Sequence, residues 1–537
     1  MPWSVYMGEY IMTVVISIIL LVLFFALMVT VGIKTRKAAR GVEGFVLGGR
    51  TAGPWITAFA FGTSYFSAVI FVGYAGQFGW NFGLASTWAG LGNAFIGSLL
   101  AWNILGRRTR IITRHLDANT MPDFFGKRFR STPLKIFASA IVFIFLIPYT
   151  ASLYNGLSSL FALVFSVPYW VVIALMAVLT GAYVIFGGYM ATAINDFIQG
   201  IIMLIGIVAV IASVLYNNGG LLNAIKELSQ VSHEGWAGGA YTSFLGPDPL
   251  ALIFVVILTS LGTWGLPQMV TKFYAIKSED DIQKGTVIST LFAIIVAGGC
   301  YFLGGFGRLY ADKITYSQGG STPLYDSIIP TMLSTLPSVV IAVTIVLVLS
   351  ASMSTLSSLV LTSSATFTLD MIVPAVKKEM SEKSKVTVMR LFVVFFIIVS
   401  AVIAIVKDAH PEMTFIAQMM GVSWGALAGA FLAPFLYGIY WKKVTKGACY
   451  VSFVWGCALM VFQMIISLGK VDVSAWGDIL GFIFGSSVNS GVVAMLGSLL
   501  IVPIVSMFTK KQDAQDVEWM FSCYEERVSV PKRDALD

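Results

Sequence analysis

A cluster of hydroxyl side chains lies inside one of the most apolar stretches of the chain, the run 339–371. At about 1.5 Å per residue, this run is long enough to cross a bilayer as one helix. Ser354, Ser357 and Ser358 would share one face of that helix, with Thr355 beside them. Neutral hydroxyl and carbonyl oxygens can bind a hard cation such as sodium without burying several charges. The same hydroxyls can instead join neighbouring helices or bond to the carbonyl four residues back.

The stretch 61–67, FGTSYFS, offers a second set of oxygens. Gly, Thr and Ser in succession at mid-membrane favour a break in the span that Gly53 and Pro54 begin, provided that protein or water satisfies the freed backbone groups. Carbonyls freed in this way bind ions in many secondary transporters. A similar interruption, 262–268 or GTWGLPQ, surrounds Pro267, which removes a helical hydrogen bond. The two stretches together strengthen the prediction of a sodium site.

Asp196 is a further candidate, at the start of the span that follows Gly187 and Gly188. An aspartate at a helix N-terminus is a good cap and suits the helix dipole. A partly buried carboxylate in a membrane can also bind a cation or carry a proton. The residue alone leaves these roles open.

Only a polytopic membrane protein could position these residues. The chain has 537 residues, of which 57% are hydrophobic and 11% charged, whereas a soluble domain has about 25% charged residues. The net charge of +7 does not indicate nucleic-acid binding, because the basic residues are confined to short loops. Four cysteines without disulfide or metal spacing and three histidines without a metal motif argue against a metalloenzyme. We find no nucleophile–base pair or phosphate loop in the sequence, so we do not expect an enzyme.

The apolar runs predict an all-α protein with thirteen transmembrane helices. The predicted spans are about 9–33, 54–77, 81–105, 135–164, 168–187, 193–216, 250–272, 286–308, 338–369, 391–407, 413–440, 447–468 and 488–508. The two interrupted spans, 54–77 and 250–272, are five spans apart. This offset predicts two inverted five-helix repeats.

Basic residues are concentrated in the loops on one side of these spans, which places the N-terminus outside and the C-terminus in the cytoplasm. The external segments 217–249 and 309–337 are long enough to hold short lid helices. The predicted organisation is an extra N-terminal helix (1–33), a cytoplasmic loop (34–53), the first repeat (54–216), an external loop (217–249), the second repeat (250–440), two extra helices (441–508) and a cytoplasmic tail (509–537).

Several motifs in this order resemble the sodium:solute symporter family, and most closely its sodium/proline symporter branch. They are Leu47-Gly48-Gly49-Arg50, Gly187-Gly188 through Asp196 and Gln199, Pro267 followed by Lys272-Phe273-Tyr274-Ala275-Ile276, and Met353-Ser354-Thr355 through Ser364. The resemblance covers about residues 44–440. It implies a LeuT-like core of five plus five helices, with one helix before it and two after, and sodium as the coupling ion without any other cofactor.

The resemblance also implies sodium ligands. The family's shared sodium site falls on the carbonyls of Thr63, Phe66 and Ala351 and on the hydroxyls of Ser354 and Thr355. Some members of the family hold a second sodium ion, and the residues that match that site are Asp196, Ser357 and Ser358.

The substrate-pocket candidates are Tyr65, Ser67, Thr263, Trp264, Pro267 and Gln418. In the proline branch, an aspartate stands where this chain has Tyr65. A tryptophan and a tyrosine of that pocket correspond to Thr259 and Thr263, whereas Pro267 is kept.

These features predict a sodium-coupled secondary active symporter of the plasma membrane that imports a small organic solute by alternating access. An amino acid such as proline, or a short carboxylate, is the expected solute. The expected partners are this solute, sodium ions and the lipid bilayer, and the sequence leaves the oligomeric state open, a monomer included. Two alternatives remain: a proton-coupled transporter of the same fold, and a sensor or channel that binds solute without coupled turnover.

Overall fold

A computed structural model describes residues 3–165, 167–236, 238–316, 323–376, 379–408 and 416–525. Every named element in these ranges is helical, as the apolar runs predict. Parts of the predicted segments 1–33, 309–337, 413–440 and 509–537 lie outside the described residues.

The α-helices of the first half of the chain are α1 (Trp3–Thr35), α2 (Gly41–Leu47), α3 (Pro54–Tyr65), α4 (Ala75–Phe82), α5 (Thr87–Gly92), α6 (Arg107–His115), α7 (Met121–Arg128), α8 (Thr132–Phe165) and α9 (Tyr169–Asn217). Those of the second half are α10 (Leu221–Ser229), α11 (Pro249–Leu261), α12 (Pro267–Ala275), α13 (Asp280–Ala293), α14 (Gly299–Gly304), α15 (Ile328–Leu333), α16 (Ser338–Thr366), α17 (Val373–Ala375), α18 (Glu382–Asp408), α19 (Ile416–Tyr440), α20 (Lys446–Leu468), α21 (Asp478–Phe484), α22 (Ser487–Phe508) and α23 (Ala514–Ser522).

Shorter helical segments connect several of these α-helices. The π-helical segments are Val69–Tyr74, Asn93–Leu100, Trp102–Gly106, Ile294–Gly298 and Phe367–Ile372. The 3-10 segments are Gly48–Arg50, Gly83–Ser86, Ala240–Thr242, Gly262–Gly265, Gly307–Tyr310, Tyr325–Ser327 and Ser474–Trp476. Short helices therefore lie in both segments that the sequence predicts to be external, 217–249 and 309–337.

Ten helices in the described ranges are long and apolar enough to cross a membrane, or eleven if the bent pair α11–α12 is one span. The count of thirteen from the sequence differs because two helical stretches each include residues of two predicted apolar runs. One is the stretch Val69–His115 with 47 residues and the other is Tyr169–Asn217 with 49 residues. At about 1.5 Å per residue, each is about twice as long as the roughly 30 Å hydrocarbon core.

A glycine with a non-helical backbone conformation interrupts each of these long stretches. Gly83 has φ 61° and ψ −139°, and Gly188 has φ 54° and ψ −146°. Only glycine adopts this backbone region readily, because a Cβ atom would clash with the backbone. A Cβ on Gly188 would also lie 2.8 Å from the carbonyl oxygen of Phe45.

The two interruptions predicted from the sequence are present. Helix α3 ends at Tyr65, and Phe66 is extended before the chain resumes its helical course. Between α11 and α12 the chain passes through a 3-10 turn and an extended Leu266, with a bend of 48°. The predicted broken spans are therefore broken at the predicted places.

Helix α16 lies in the middle of the molecule and carries the hydroxyl cluster. It packs against α1, α3, α8 and α9, and every side chain from Thr344 to Leu361 is buried. The hydroxyls of this segment therefore face protein and not lipid.

The C-terminal helix α23 is attached to the rest of the protein through Arg128 at the end of α7. The Arg128 guanidinium is fully buried and donates to the carbonyl oxygen of Gly438 at 3.1 Å and to Oε1 of Gln512 at 2.5 Å. It also lies over the Phe521 ring at 5.0 Å. Burial lowers the pKa of Arg128 to about 10, so the side chain is still charged at neutral pH.

Candidate functional site

Five oxygen atoms converge where the break after α3 meets α16. Thr355 Oγ1 lies 3.2 Å from the Thr63 carbonyl oxygen, 3.3 Å from that of Phe66 and 3.1 Å from that of Ala351. Ser354 Oγ lies 3.2 Å from the Thr63 and Ala351 carbonyl oxygens. All five residues are essentially inaccessible to solvent. The structure thus brings together every residue that the sequence assigns to the shared sodium site.

This cluster has fewer hydrogen-bond donors than acceptors, which favours the binding of a cation. Each of the two hydroxyls of Ser354 and Thr355 has one proton, whereas three carbonyl oxygens surround them. A six-coordinate cation with ligands at about 2.4 Å, a distance typical of Ca²⁺, separates adjacent ligand oxygens by about 3.4 Å. The separations of 3.1 to 3.3 Å are close to that value. A hard cation can therefore take the place of the hydroxyl protons as the partner of the carbonyl oxygens. The five oxygens would have to move only slightly.

The local sequence explains why these carbonyls are available. The last carbonyls of an α-helix have no intrahelical donor, and α3 ends at Tyr65, in the middle of the protein. Phe66 is extended, with φ −80° and ψ 113°, and its N–H bonds back to the Gly62 carbonyl. The break therefore makes the Thr63 and Phe66 carbonyls available to a partner on α16.

A small cavity adjoins this cluster. No charged side chain is among its lining residues, which are Phe61, Gly62, Tyr65, Phe66, Asn93, Gly97, Ser98, Thr263, Met269, Ser289, Phe292, Ala293 and Ala297. An apolar wall with a few convergent polar groups is typical of a small-molecule site.

Hydrogen bonds hold the polar groups of the cavity in place. Asn93 Nδ2 donates to the Tyr65 hydroxyl, and Ser260 Oγ donates to Asn93 Oδ1 at 3.3 Å. Ser98 Oγ and Ser289 Oγ lie 2.8 Å apart. The Tyr65 ring packs against Trp424, with ring centroids 5.7 Å apart. The wall of the cavity is thus fixed by contacts from several helices.

Phe66 belongs to both the oxygen cluster and the cavity. Its carbonyl oxygen lies in the cluster of oxygens, and the same residue lines the cavity. A cation bound to the carbonyl would fix the backbone that shapes one wall of the cavity. This arrangement can link occupancy of the two sites.

The remaining pocket candidates lie elsewhere. Ser67 is buried beside the break, and its hydroxyl has no hydrogen-bond partner within the described residues. The Trp264 indole donates to the Ile96 carbonyl at 3.0 Å. Gln418 accepts a hydrogen bond from Ser467 of α20 at 2.8 Å. Of the predicted pocket residues, only Tyr65 and Thr263 line the cavity, and Pro267 begins α12 close to Met269, which also lines it.

Ser357 and Ser358, which the resemblance groups with Asp196 as second-sodium residues, lie about one turn further along α16. Ser357 Oγ donates to the Ser354 carbonyl at 3.0 Å. Ser358 Oγ lies 3.0 Å from Lys272 Nζ, which in turn lies 3.7 Å from Asp196 Oδ2. Two of the three predicted second-sodium residues, Asp196 and Ser358, thus meet the ammonium group of a lysine.

The sequence interpretation missed Lys272, Asn93 and Ser289. Lys272 ends the predicted span 250–272, where a lysine normally reaches the membrane surface, yet its side chain is only 3% exposed. An ionisable residue inside an apolar span is energetically costly and usually functional. The position of Lys272 at the end of an apolar run could therefore have marked it as a functional residue. No comparable signal in the sequence marks Asn93 or Ser289, because single polar residues are common in membrane helices.

No group of histidine, cysteine, aspartate or glutamate side chains suited to a transition metal occurs in the described part of the chain.

Known proteins resemble this chain over most of its length. The sequence model of the sodium:solute symporter family matches residues 45–456. The osmoregulated proline transporter OpuE of Bacillus subtilis (strain 168) is 29% identical over 497 residues, which cover 92% of this chain and 95% of that protein. The sodium/proline symporter of Staphylococcus aureus (strain JH9) is 28% identical over 516 residues, which cover 92% and 93%.

One solved structure is that of a Na⁺-coupled sialic acid symporter in a substrate-bound outward-open state. It superposes on this chain with a TM-score of 0.72 and 18% identity, and covers 93% of this chain and 98% of its own. At this identity, the likeness shows that the fold is shared.

Proposed function

The chain belongs to the sodium:solute symporter family, and on this premise we propose that it imports an amino acid such as proline, or a short carboxylate, together with sodium. It is a Na⁺-coupled solute symporter of the membrane and not an enzyme. Downhill sodium entry would supply the free energy, and alternating access would move the solute.

The observation that carries the proposal is the convergence of five buried oxygens on one point. Thr63 and Phe66 contribute carbonyls from the break, and Ala351, Ser354 and Thr355 contribute a carbonyl and two hydroxyls from α16. We propose that one sodium ion binds there. The two sets of ligands come from helices far apart in the sequence, so sodium binding would hold the break against α16.

The solute would bind in the cavity beside Tyr65. The lining is uncharged, so a solute with a carboxylate needs another positive group. The N-terminus of α12 supplies one, because its first N–H groups and its dipole favour an anion. Met269 near this N-terminus lines the cavity. An amino acid or a short carboxylate fits these conditions better than a sugar, which would need many more hydrogen-bonding side chains.

The two curated relatives support proline as the first solute to test. The sequence resemblance argues for testing further solutes, because the proline branch has an aspartate where this chain has Tyr65. The Tyr65 hydroxyl is already engaged by Asn93, so this side chain presents an aromatic wall and no charge.

The proposal includes the topology. The core comprises two inverted five-helix repeats of LeuT type, 54–216 and 250–440, within thirteen membrane crossings in the plasma membrane. The N-terminus is outside and the C-terminus is cytoplasmic. The two long stretches Val69–His115 and Tyr169–Asn217 support this count, because each is long enough for two crossings.

The decisive experiment is uptake of radiolabelled proline, other amino acids and short carboxylates into proteoliposomes under an imposed inward sodium gradient. We expect one of these solutes to accumulate above equilibrium and to stop accumulating when choline replaces sodium. Accumulation driven by a proton gradient in choline would favour the proton-coupled alternative. Binding or equilibration without accumulation would favour the sensor or channel and overturn the proposal.

A further inference from the structure

The ammonium group of Lys272 lies inside the protein and contacts α16 at Ser358, about one helical turn beyond the oxygen cluster that we assign to sodium. Its Nζ atom donates to Ser358 Oγ at 3.0 Å and faces Asp196 Oδ2 at 3.7 Å. It also lies over the Tyr189 ring, 5.3 Å from the centroid. The side chains of Lys272 and Asp196 are 3% and 0% exposed. The transport mechanism described above makes no use of this pair.

The protons of the Ser64 and Ser358 hydroxyls point away from Lys272. Ser64 Oγ donates to the Ala60 carbonyl at 2.6 Å, so its proton is already used. Ser358 Oγ must then donate to Ser64 Oγ, 2.8 Å away, because each hydroxyl has one proton. The free lone pair of Ser358 therefore faces the ammonium group. This is the orientation that a cation at this place requires.

Asp196 has no other partner to neutralise it among the described residues. Neither of its carboxylate oxygens has a hydrogen-bond donor there, and Lys272 is the only cationic group paired with it. A buried carboxylate is costly unless a cation pairs with it. The carboxylate and the ammonium group thus depend on each other.

A second sodium ion between Asp196 and Ser358 would need the same oxygen atoms that Lys272 Nζ already contacts or faces. It would compete for the Ser358 lone pair, and it would lie within a few ångströms of a like charge at low dielectric. We propose that Lys272 Nζ takes the place of a second sodium ion as a cation attached to the protein, so that this transporter carries a single sodium ion per solute. This inference rests on the proposed function, because it concerns the ion stoichiometry of the same transport cycle.

The inference makes Lys272 a residue that determines ion stoichiometry. Its charge stays with the protein through the cycle, whereas a second sodium ion would be released inside the cell. Each cycle would therefore move one sodium charge fewer than in a transporter with both sodium sites filled.

The test counts bound sodium ions with ²²Na⁺ alone on purified protein in detergent, with choline chloride to hold the ionic strength constant. We expect one sodium ion per chain for the intact protein. Lys272→Gln should bind two, because Asp196 and Ser358 become available to a mobile cation. The sodium dependence of the melting temperature should become correspondingly steeper. Lys272→Gln combined with Asp196→Asn should return to one ion.

The double variant keeps the test valid even if Lys272→Gln fails to fold, since it removes both buried charges together. The inference requires equal counts of one in the intact protein and in the double variant. Two ions in the intact protein and one in the double variant would overturn it, and so would a single ion in folded Lys272→Gln. A count of zero in the intact protein would overturn the sodium-coupled function as well, which separates the two failures.

Discussion

Phe66 and Leu266 adopt nearly the same backbone conformation, with φ −80° and ψ 113° at Phe66 and φ −85° and ψ 119° at Leu266. Each is the extended residue at which a membrane span is broken. The two breaks therefore share a geometry although their sequences, FGTSYFS and GTWGLPQ, differ. The shared geometry supports the proposal that the two spans occupy equivalent positions in two repeats.

The first prediction concerns Pro267, which follows Leu266 and restricts it to extended conformations. Pro267→Ala should remove that restriction and let helix α12 extend backward through the break. We expect weaker solute binding with little loss of stability. Pro249→Ala is the matched control, since Pro249 also begins a helix but lies away from the break.

Solute-induced shifts of the melting temperature measure this effect, with the solute identified by uptake. The shift should shrink in Pro267→Ala and stay unchanged in Pro249→Ala. Equal shifts in both variants would show that Pro267 does not maintain the break for solute binding.

The second prediction concerns the Tyr65 hydroxyl, which accepts a hydrogen bond from Asn93. Tyr65→Phe leaves the Asn93 donor unpaired next to the cavity, at a cost of about 1–3 kcal/mol. We expect a higher KM for solute and an unchanged sodium affinity, because no side-chain atom of Tyr65 lies in the oxygen cluster. Tyr154→Phe is the control, since its hydroxyl is buried without a hydrogen-bond partner within the described residues. If both variants behaved alike in uptake, Tyr65 would have no place in the pocket.

The third prediction concerns stability where α4 crosses α14. A Cβ atom on Gly304 would overlap the carbonyl group of Ala75, which is backbone and cannot turn aside. Gly304→Ala should therefore destabilise the protein by about 1–3 kcal/mol, as overpacking usually does. A Cβ on Gly298, which immediately precedes α14, would meet nothing within 4 Å. Gly298→Ala should be neutral, or stabilising by up to about 1 kcal/mol. Melting temperatures in detergent that fall equally in both variants would contradict this account of the crossing.

The oxygen cluster could be predicted from the sequence because its ligands follow local rules. Helical periodicity places Ser354 and Thr355 side by side, and a Gly-Thr-Ser stretch at mid-membrane predicts a break close to Thr63 and Phe66. The family resemblance then paired the two segments. The structure brings their oxygens within 3.1 to 3.3 Å of one another.

Other features depend on long-range packing and could not be predicted. Lys272 ends an apolar run and looks like an interfacial residue, but the fold carries it to Asp196, 76 residues away in the sequence. Gln418 resembles a pocket residue, yet it bonds to Ser467 on a helix beyond the second predicted repeat. The span count also depends on backbone geometry. Hydropathy divides Tyr169–Asn217 into two spans, whereas the structure has one helical stretch with a non-helical glycine at Gly188.

The fourth prediction concerns Thr355, whose hydroxyl lies closest to all three carbonyls of the oxygen cluster. Thr355→Ala removes one ligand, and the confined site leaves little room for a water molecule to replace it. A lost ligand of this kind costs about 1–3 kcal/mol, which corresponds to a roughly 5- to 150-fold weaker sodium affinity. Because Phe66 links the site to the cavity, solute affinity at low sodium should fall as well.

Two controls separate ligand loss from general damage to α16. Thr355→Ser keeps the hydroxyl and should retain most of the sodium affinity. Ser352→Ala removes a buried hydroxyl that has no hydrogen-bond partner in the described part of the chain, and it should leave sodium binding unchanged. The measurement is the sodium concentration that gives half of the maximal rise in melting temperature, with choline as the replacement ion. If Thr355→Ala and Ser352→Ala gave the same value as the intact protein, sodium would have to bind elsewhere, because no other hydroxyl of the described residues contacts the carbonyls of both Thr63 and Phe66.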